Sequence, residues 1–195
     1  MMRRFAHRIW TQAFFERASL EELQFMLAEL DLLGTKFGPN DLRIELARYL
    51  GIAIEPFFHY PDLSVPVLGG EVLRQGTLAE VCYDPDNVCA IVAVRQSLWY
   101  RPWPAWELNL HHEMSHLALD HQIRFVSGSS RGDYEFVPTA KRIVSRAHPN
   151  LSDEYELKRF REKVYEPEAH QWASWLVFAG NYPVLFQKER INQAT

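Results

Sequence analysis

The stretch Glu107–His121, "ELNLHHEMSHLALDH", holds four of the chain's eight histidines within fifteen residues. Three of its members, His112, Glu113 and His116, spell H-E-x-x-H. On a helix, residues i and i+4 lie on one face, so the imidazoles of His112 and His116 can reach a single metal ion. Zinc accepts imidazole nitrogen and carboxylate oxygen, and a catalytic zinc keeps one position open for water. Glu113 adjoins the first histidine and is the natural proton acceptor for that water. The apolar flanks "LNL" and "LAL" place this helix in the interior, where a polarising ion acts strongly. A buried histidine is more often a hydrogen-bonded core residue than a ligand. Two histidines and a glutamate stacked on one apolar helix each need a polar partner where few exist, which favours the metal reading.

Such a site needs a third protein ligand. A metzincin arrangement fails, because position 122 is Gln and "LALD" lacks the helix-breaking glycine. His121 falls at the helix end, rotated off the metal face, and is expected to complement the helix C-terminus or to support a ligand from behind. A second helix, "YEPEAHQWASWL", offers Glu166 and, about 200° away on an ideal helix, Glu168. Only one of the two can face the metal. With Glu166 inward, Ala169, Trp172, Ala173 and Leu176 form a coherent apolar face beside it, and Glu166 is the choice. His170, at i+4 from Glu166, is expected to support Glu166 or a ligating imidazole.

Outward from this pair, the chain reads as one domain of 195 residues, with a helical portion over about residues 1–50 and the metal-site portion over about 51–180. Its composition is 47% hydrophobic and 24% charged, ordinary for a globular protein, and its formal charge is -4. That balance gives no electrostatic footprint for nucleic acid or an anionic membrane. No apolar run approaches the roughly 18 residues of a membrane-spanning helix. The N-terminus has neither the apolar core nor the cleavage site of a signal peptide. Two cysteines, Cys82 and Cys89, are too few for a disulfide framework, so a cytoplasmic protein is expected.

"SLEELQFMLAELDLLG" carries a Ser19/Glu22 capping box and an apolar face of Leu20, Leu23, Phe25, Met26, Leu27, Leu30 and Leu33, with Gly34 as the stop. "NDLRIELARYLG" repeats the logic, with Asn40 or Asp41 as cap, Leu42, Ile44, Leu46 and Leu50 packing, and Gly51 ending it. "IAIEPFF" reads as a strand pushed to an edge by Pro56. "EVCY" and "VCAIVAV" form a hairpin around "DPDN". "VSGSSRGDYEFVP" reads as a loop. The segment from Ser152 to Gly180 reads as helix in two pieces, with Pro167 in the first turn of the second. The sum is an α+β arrangement: N-terminal helices, a small antiparallel sheet, a metal-binding helix and a C-terminal ligand helix.

Taken together, these segments resemble the ImmA/IrrE family of metallo-endopeptidases over about residues 41–176. "DLRIELARYLGIAIEPF" is similar to the family's helix-then-strand opening, and "CAIVAVRQSL…WELNLHHEMSHLALDH" to its strand, turn and zinc helix. "EPEAHQWASWLVFAG" resembles its E-x-E-A-[N/D]-x-F-A-x-x-L-L-M-P helix. The resemblance implies a zincin-like, gluzincin-type endopeptidase with Zn2+ held by His112, His116 and Glu166 and with Glu113 as the catalytic base. It implies a cytosolic, bacterial or phage-related enzyme whose substrate is a helix-turn-helix repressor. His170 stands where the family has Asn or Asp, Trp172 where it has Phe, and Phe178 and Ala179 where it has Met-Pro. The alternatives are a non-catalytic zinc-domain binding protein and a toxin–antitoxin component with another target.

Four groups are candidates for stabilising an oxyanion, Tyr134, Tyr155, Tyr165 and His148, and the sequence does not choose among them. Trp99, Tyr100, Trp103 and Trp106 either line a substrate groove or form a packed turn ahead of the metal helix. Cys82 and Cys89 bracket the hairpin turn and are expected as small core residues.

Overall fold

The computed structural model describes residues 20–54, 58–60, 78–84, 88–102, 104–121, 123–125, 134–136 and 154–186. The expected Ser19 cap, the irregular stretch 61–76, most of the loop 126–138, Trp103 and His148 lie outside these residues. Helix α1 (Leu20–Glu29) buries Leu23, Met26 and Leu27, with Leu30 just beyond its end. Phe25 lies on the opposite face and is 56% exposed, so it does not belong to the expected apolar face. The helix also stops before Gly34. Asp31 adopts φ 57°, Leu32 N–H donates to the Leu27 carbonyl and Asp31 N–H to that of Ala28. That is a Schellman ending with aspartate in the left-handed position usually given to glycine.

Helix α2 (Pro39–Leu50) has Gly38 as N-cap, and Asp41 caps from inside the first turn, accepting the Gly38 N–H at 2.8 Å. Leu42, Leu46 and Leu50 are buried, whereas Ile44 is 47% exposed, contrary to expectation. Gly51, at φ 69°, closes the helix as its sequence position predicted.

The sheet is mixed rather than antiparallel. Strands β3 (Ala79–Asp84) and β4 (Cys89–Arg95) form the expected antiparallel hairpin, with Val81 opposite Val92. Strands β1 (Ala53–Ile54) and β2 (Phe58–Tyr60) both pair with β4 in parallel, and the register steps by one residue between them. They lie end to end along one edge of β4, so the sheet is in effect three strands wide. A simple meander would have put β1 and β2 beside β3; instead β4 takes the centre. The reason lies in its sequence, "CAIVAVR", a nearly continuous apolar run suited to burial on both faces. Ala90, Val92, Ala93 and Val94 are fully buried. The register also sets Cys82 opposite Ile91 and Cys89 opposite Asp84, so the two cysteines are not a cross-strand pair.

After a 3-10 turn (Gln96–Tyr100), helix α3 (Ala105–Ala118) runs through the interior. Strands β5 (Ile123–Phe125) and β6 (Tyr134–Phe136) pair antiparallel, so part of the expected loop is strand. Helix α4 (Glu154–Phe160), a π-helical turn (Arg161–Tyr165) and helix α5 (Glu166–Asn181) follow without a break. The two expected helical pieces are thus joined by a π turn. Pro167 has no N–H and its ring crowds the carbonyl four residues earlier; the Glu166 N–H already bonds five residues back, to the Arg161 carbonyl.

Helix α3 packs along α5, and both close on the first two helices and the sheet. Leu46, Val92, Leu110, Met114, Leu117, Trp172 and Leu176 belong to one buried cluster. Each such side chain contributes about 1.5–3 kcal/mol of burial. Behind α5, a Cβ on Gly180 would stand 2.3 Å from the Phe37 carbonyl oxygen, so only glycine allows the close approach there. No helix among the described residues is long and apolar enough to cross a membrane.

Candidate metal centre

Helix α3 is buried nearly all round, so its polar side chains are held by the neighbours they meet. On one face, Glu107 and His111 sit at i and i+4. The Asn181 amide at the end of α5 donates to both Glu107 carboxylate oxygens, at 3.2 and 3.4 Å. The His111 ring lies 3.8 Å from Glu107, and its nitrogens find no hydrogen-bond partner among the described residues. Burial lowers its pKa and keeps it neutral. This face ties α3 to α5 and plays no part in the cleft.

The next face carries His112 and His116. Their Nε2 atoms are 3.1 Å apart. Glu166 Oε2, from the first turn of α5, lies 3.1 Å from His112 Nε2 and 3.7 Å from His116 Nε2. These three residues form a group able to hold a metal ion, one donor atom from each. Donors at the roughly 2.0–2.1 Å of zinc–nitrogen and zinc–oxygen bonds in a tetrahedron stand about 3.3 Å apart. The observed triangle brackets that spacing, and its donor set is the borderline mixture that zinc takes.

The surroundings favour ligating states at two corners. Burial, outweighing the pull of Glu166, lowers the His116 pKa to about 3, so its ring is neutral. Burial pushes Glu166 up, but the two imidazoles and the Arg161 guanidinium pull it well below the ordinary carboxylate range. At His112, burial is outweighed by the Glu166 hydrogen bond and the charges of Glu113 and Glu166, and its pKa is raised. A cation there competes with that proton.

Glu113 sits beside this triangle, at the foot of β3. The Arg95 N–H bonds the Leu78 carbonyl, which fixes the hairpin's phase: Val81 belongs to a non-hydrogen-bonded pair and its N–H points away from β4. It donates to Glu113 Oε2 at 2.8 Å. No partner for Oε1 is found among the described residues. Burial, reinforced by the Glu166 charge, raises the Glu113 pKa to about 8. Glu113, His112, His116 and Glu166 all line an open cleft of about 440 Å³, with Leu78 and, from β3, Ala79 and Glu80 along its edge.

Glu168 points away from the triangle. Its Oε2 lies 3.1 Å from His121 Nε2, and His121 Nδ1 lies 3.2 Å from His116 Nδ1. His121 therefore reaches the back of a candidate ligand, although it lies past the helix end. The chain turns through Asp120 at φ 58°, and the His121 N–H bonds the His116 carbonyl at 2.9 Å. This is the second Schellman ending with aspartate in the glycine position. His170 lines the cleft and its ring centroid is 6.2 Å from that of His112, but it makes no hydrogen bond to Glu166. Arg161 takes that place instead, with Nε 2.9 Å from Glu166 Oε1 and its terminal nitrogen 3.7 Å from Glu80.

Sequence reasoning missed Arg161 because residues five apart do not share a face of an α-helix. The π turn, with its i to i+5 bonding, stacks them. Glu168 was weighed only as a rival to Glu166, and its role as partner of His121 has no signal in helical spacing. Of the oxyanion candidates, Tyr155 is 71% exposed and does not line the cleft, and Tyr165 is buried against His121. Tyr100 is 80% exposed and Trp106 packs against the core, so neither lines the cleft. No family model, curated protein or solved structure matches this chain.

Proposed function

We propose that the chain is a zinc-dependent endopeptidase of narrow specificity, of the ImmA/IrrE type, acting in the cytoplasm on a DNA-binding helix-turn-helix repressor. The observation that carries the metal part is the donor triangle of His112, His116 and Glu166 in an open cleft. The family and the substrate class rest on the motif resemblance and extend it. When bound, the ion supplies Lewis acidity toward a water and a scissile carbonyl. Glu113 lines the cleft and would act as proton acceptor, while the Val81 N–H fixes its Oε2. Burial holds Glu113 protonated at neutral pH in the absence of metal, and a cation beside it would favour the carboxylate, the form that accepts a proton. Arg161 holds Glu166 in place and offsets part of the local negative charge. An extended peptide along the cleft-side edge of β3 would find main-chain groups for recognition there, apart from the Val81 N–H that Glu113 takes.

The test is incubation of zinc-loaded protein with casein and with a helix-turn-helix protein encoded by a neighbouring gene, with and without chelator. Chelator-sensitive cleavage at one site in the repressor, with casein hardly touched, is expected. Broad digestion of casein would reject narrow specificity. Failure to cut any repressor, with zinc bound, would favour the binding or toxin–antitoxin alternatives.

A further inference from the structure

We propose that Glu168 and His121 are positioning residues that fix the tautomer and the orientation of His116 as a metal ligand. The inference rests on the metal reading above. His116 turns Nε2 toward His112 and Glu166, and turns Nδ1 toward His121. To ligate through Nε2, the neutral ring must carry its proton on Nδ1. His121 Nδ1, 3.2 Å away, accepts that proton when it carries none of its own. His121 is then protonated on Nε2, and that N–H meets the Glu168 carboxylate at 3.1 Å. Along this line of contacts, a buried carboxylate on α5 favours the tautomer of His116 that turns Nε2 to the cleft.

The supports are rigid as well as polar. His121 is 4% exposed and Glu168 6%. The Tyr165 ring stacks on His121 at 4.0 Å, with the planes 10° apart, and holds the imidazole in one plane. The His121 main chain is anchored on His116 itself, through its N–H to the His116 carbonyl. The relay therefore gathers three elements behind one ligand: the end of α3, the turn through Asp120, and the first turn of α5. The same turn of α5 presents Glu166 to the front of the site, two residues from Glu168. One short stretch thus supplies a donor to the cleft and the carboxylate that aims another.

Outer partners of a ligating histidine raise its basicity and fix its ring, and their loss costs about 10–100-fold in metal affinity. The test measures Zn2+ affinity by competition with a chromophoric chelator, and the visible spectrum of the Co2+ form, in His121→Phe, His121→Asn and Glu168→Gln. His121→Phe keeps the stacking on Tyr165 and removes the acceptor. His121→Asn returns an acceptor oxygen near the Nδ1 position. Affinity should fall about 10–100-fold in His121→Phe, less in Glu168→Gln, and should recover in part in His121→Asn, with an altered Co2+ spectrum in the first two. A purely structural role would lower thermal stability and leave affinity and spectrum as in the wild type, and that result overturns the inference. If His121→Phe does not fold, Glu168→Gln decides. Wild-type protein that takes up no metal would overturn the metal reading and this inference together; wild-type uptake with unchanged affinity in the variants would overturn the inference alone.

Discussion

Replacing Glu113 by glutamine should stabilise the metal-free protein, and only above acidic pH. Burial raises the Glu113 pKa from its ordinary 4.5 to about 8, so the fold holds a proton there more tightly than the unfolded chain does. The raised value fixes the sign. Stability from the neutral carboxyl is fully present below about pH 4.5, is lost progressively as pH rises toward 8, and stays lost above it. At about 1.4 kcal/mol per pH unit, the ceiling of that loss is on the order of 5 kcal/mol. Glutamine keeps the shape and still accepts the Val81 N–H, but never ionises. The gap in Tm between Glu113→Gln and wild type should be near zero at pH 4.5 and on the order of 10 °C at pH 8.5, given roughly 2–4 °C per kcal/mol for a chain of this size. The assay is thermal unfolding of chelator-treated protein across that range. His112 titrates in both proteins, and because the Glu113 charge helps raise its pKa, the gap reports the coupled pair rather than Glu113 alone. Zinc should shrink the gap, since a cation beside Glu113 favours the carboxylate. A gap that stays constant from pH 4.5 to 8.5 would refute the reasoning, because packing changes alone do not titrate.

His116→Ala should abolish stoichiometric zinc uptake, read by metal analysis, and with it the rise in Tm that zinc gives the wild type. Zinc affinity of the wild type should fall with decreasing pH as the raised His112 pKa lets protons compete, visible by titration calorimetry at pH 8 and pH 6. Glu113→Gln should keep zinc and lose peptide cleavage, and cleavage at the wild-type rate would remove Glu113 as the base. Gly180→Ala should destabilise by more than about 2 kcal/mol, since its Cβ meets backbone rather than a movable side chain. Trp172→Ala, at a fully buried position, should cost about 3–5 kcal/mol in denaturant unfolding.

What the sequence discloses and what it hides divide along a physical line. Spacing within one regular element is legible: His112 and His116 share a face because α3 is an ideal helix there, and Gly51 ends α2 because glycine takes positive φ at little cost. The choice of Glu166 over Glu168 was accessible for the same reason, since the apolar face of α5 fixes its rotation. Departures from regular geometry are not legible. Asp31 and Asp120 take the left-handed position usual for glycine, so α1 ends short of Gly34, and His121, off the metal face by helical spacing, turns back to support His116, one of the two roles its position allows. The parallel pairing of β1 and β2 depends on which hairpin strand they join, a long-range choice written only in the apolar continuity of β4.

The π turn at Arg161–Tyr165 has a consequence for how this protein tolerates change in length. It holds one residue more than an α-helical path needs. Deleting the exposed Lys163 would let the turn relax to α geometry and would leave α5, with Glu166, Glu168 and the Trp172 face, in its phase against the core. The segment before it would keep its phase as well, because the i to i+5 bond from Glu166 to Arg161 would become an ordinary i to i+4 bond. Arg161 would then stand four residues before Glu166, on the same face of the helix, and the donor triangle would stay whole. The turn thus acts as a length buffer: the chain can lose one amino acid there while the guanidinium keeps its place on Glu166 and the cleft keeps its residues.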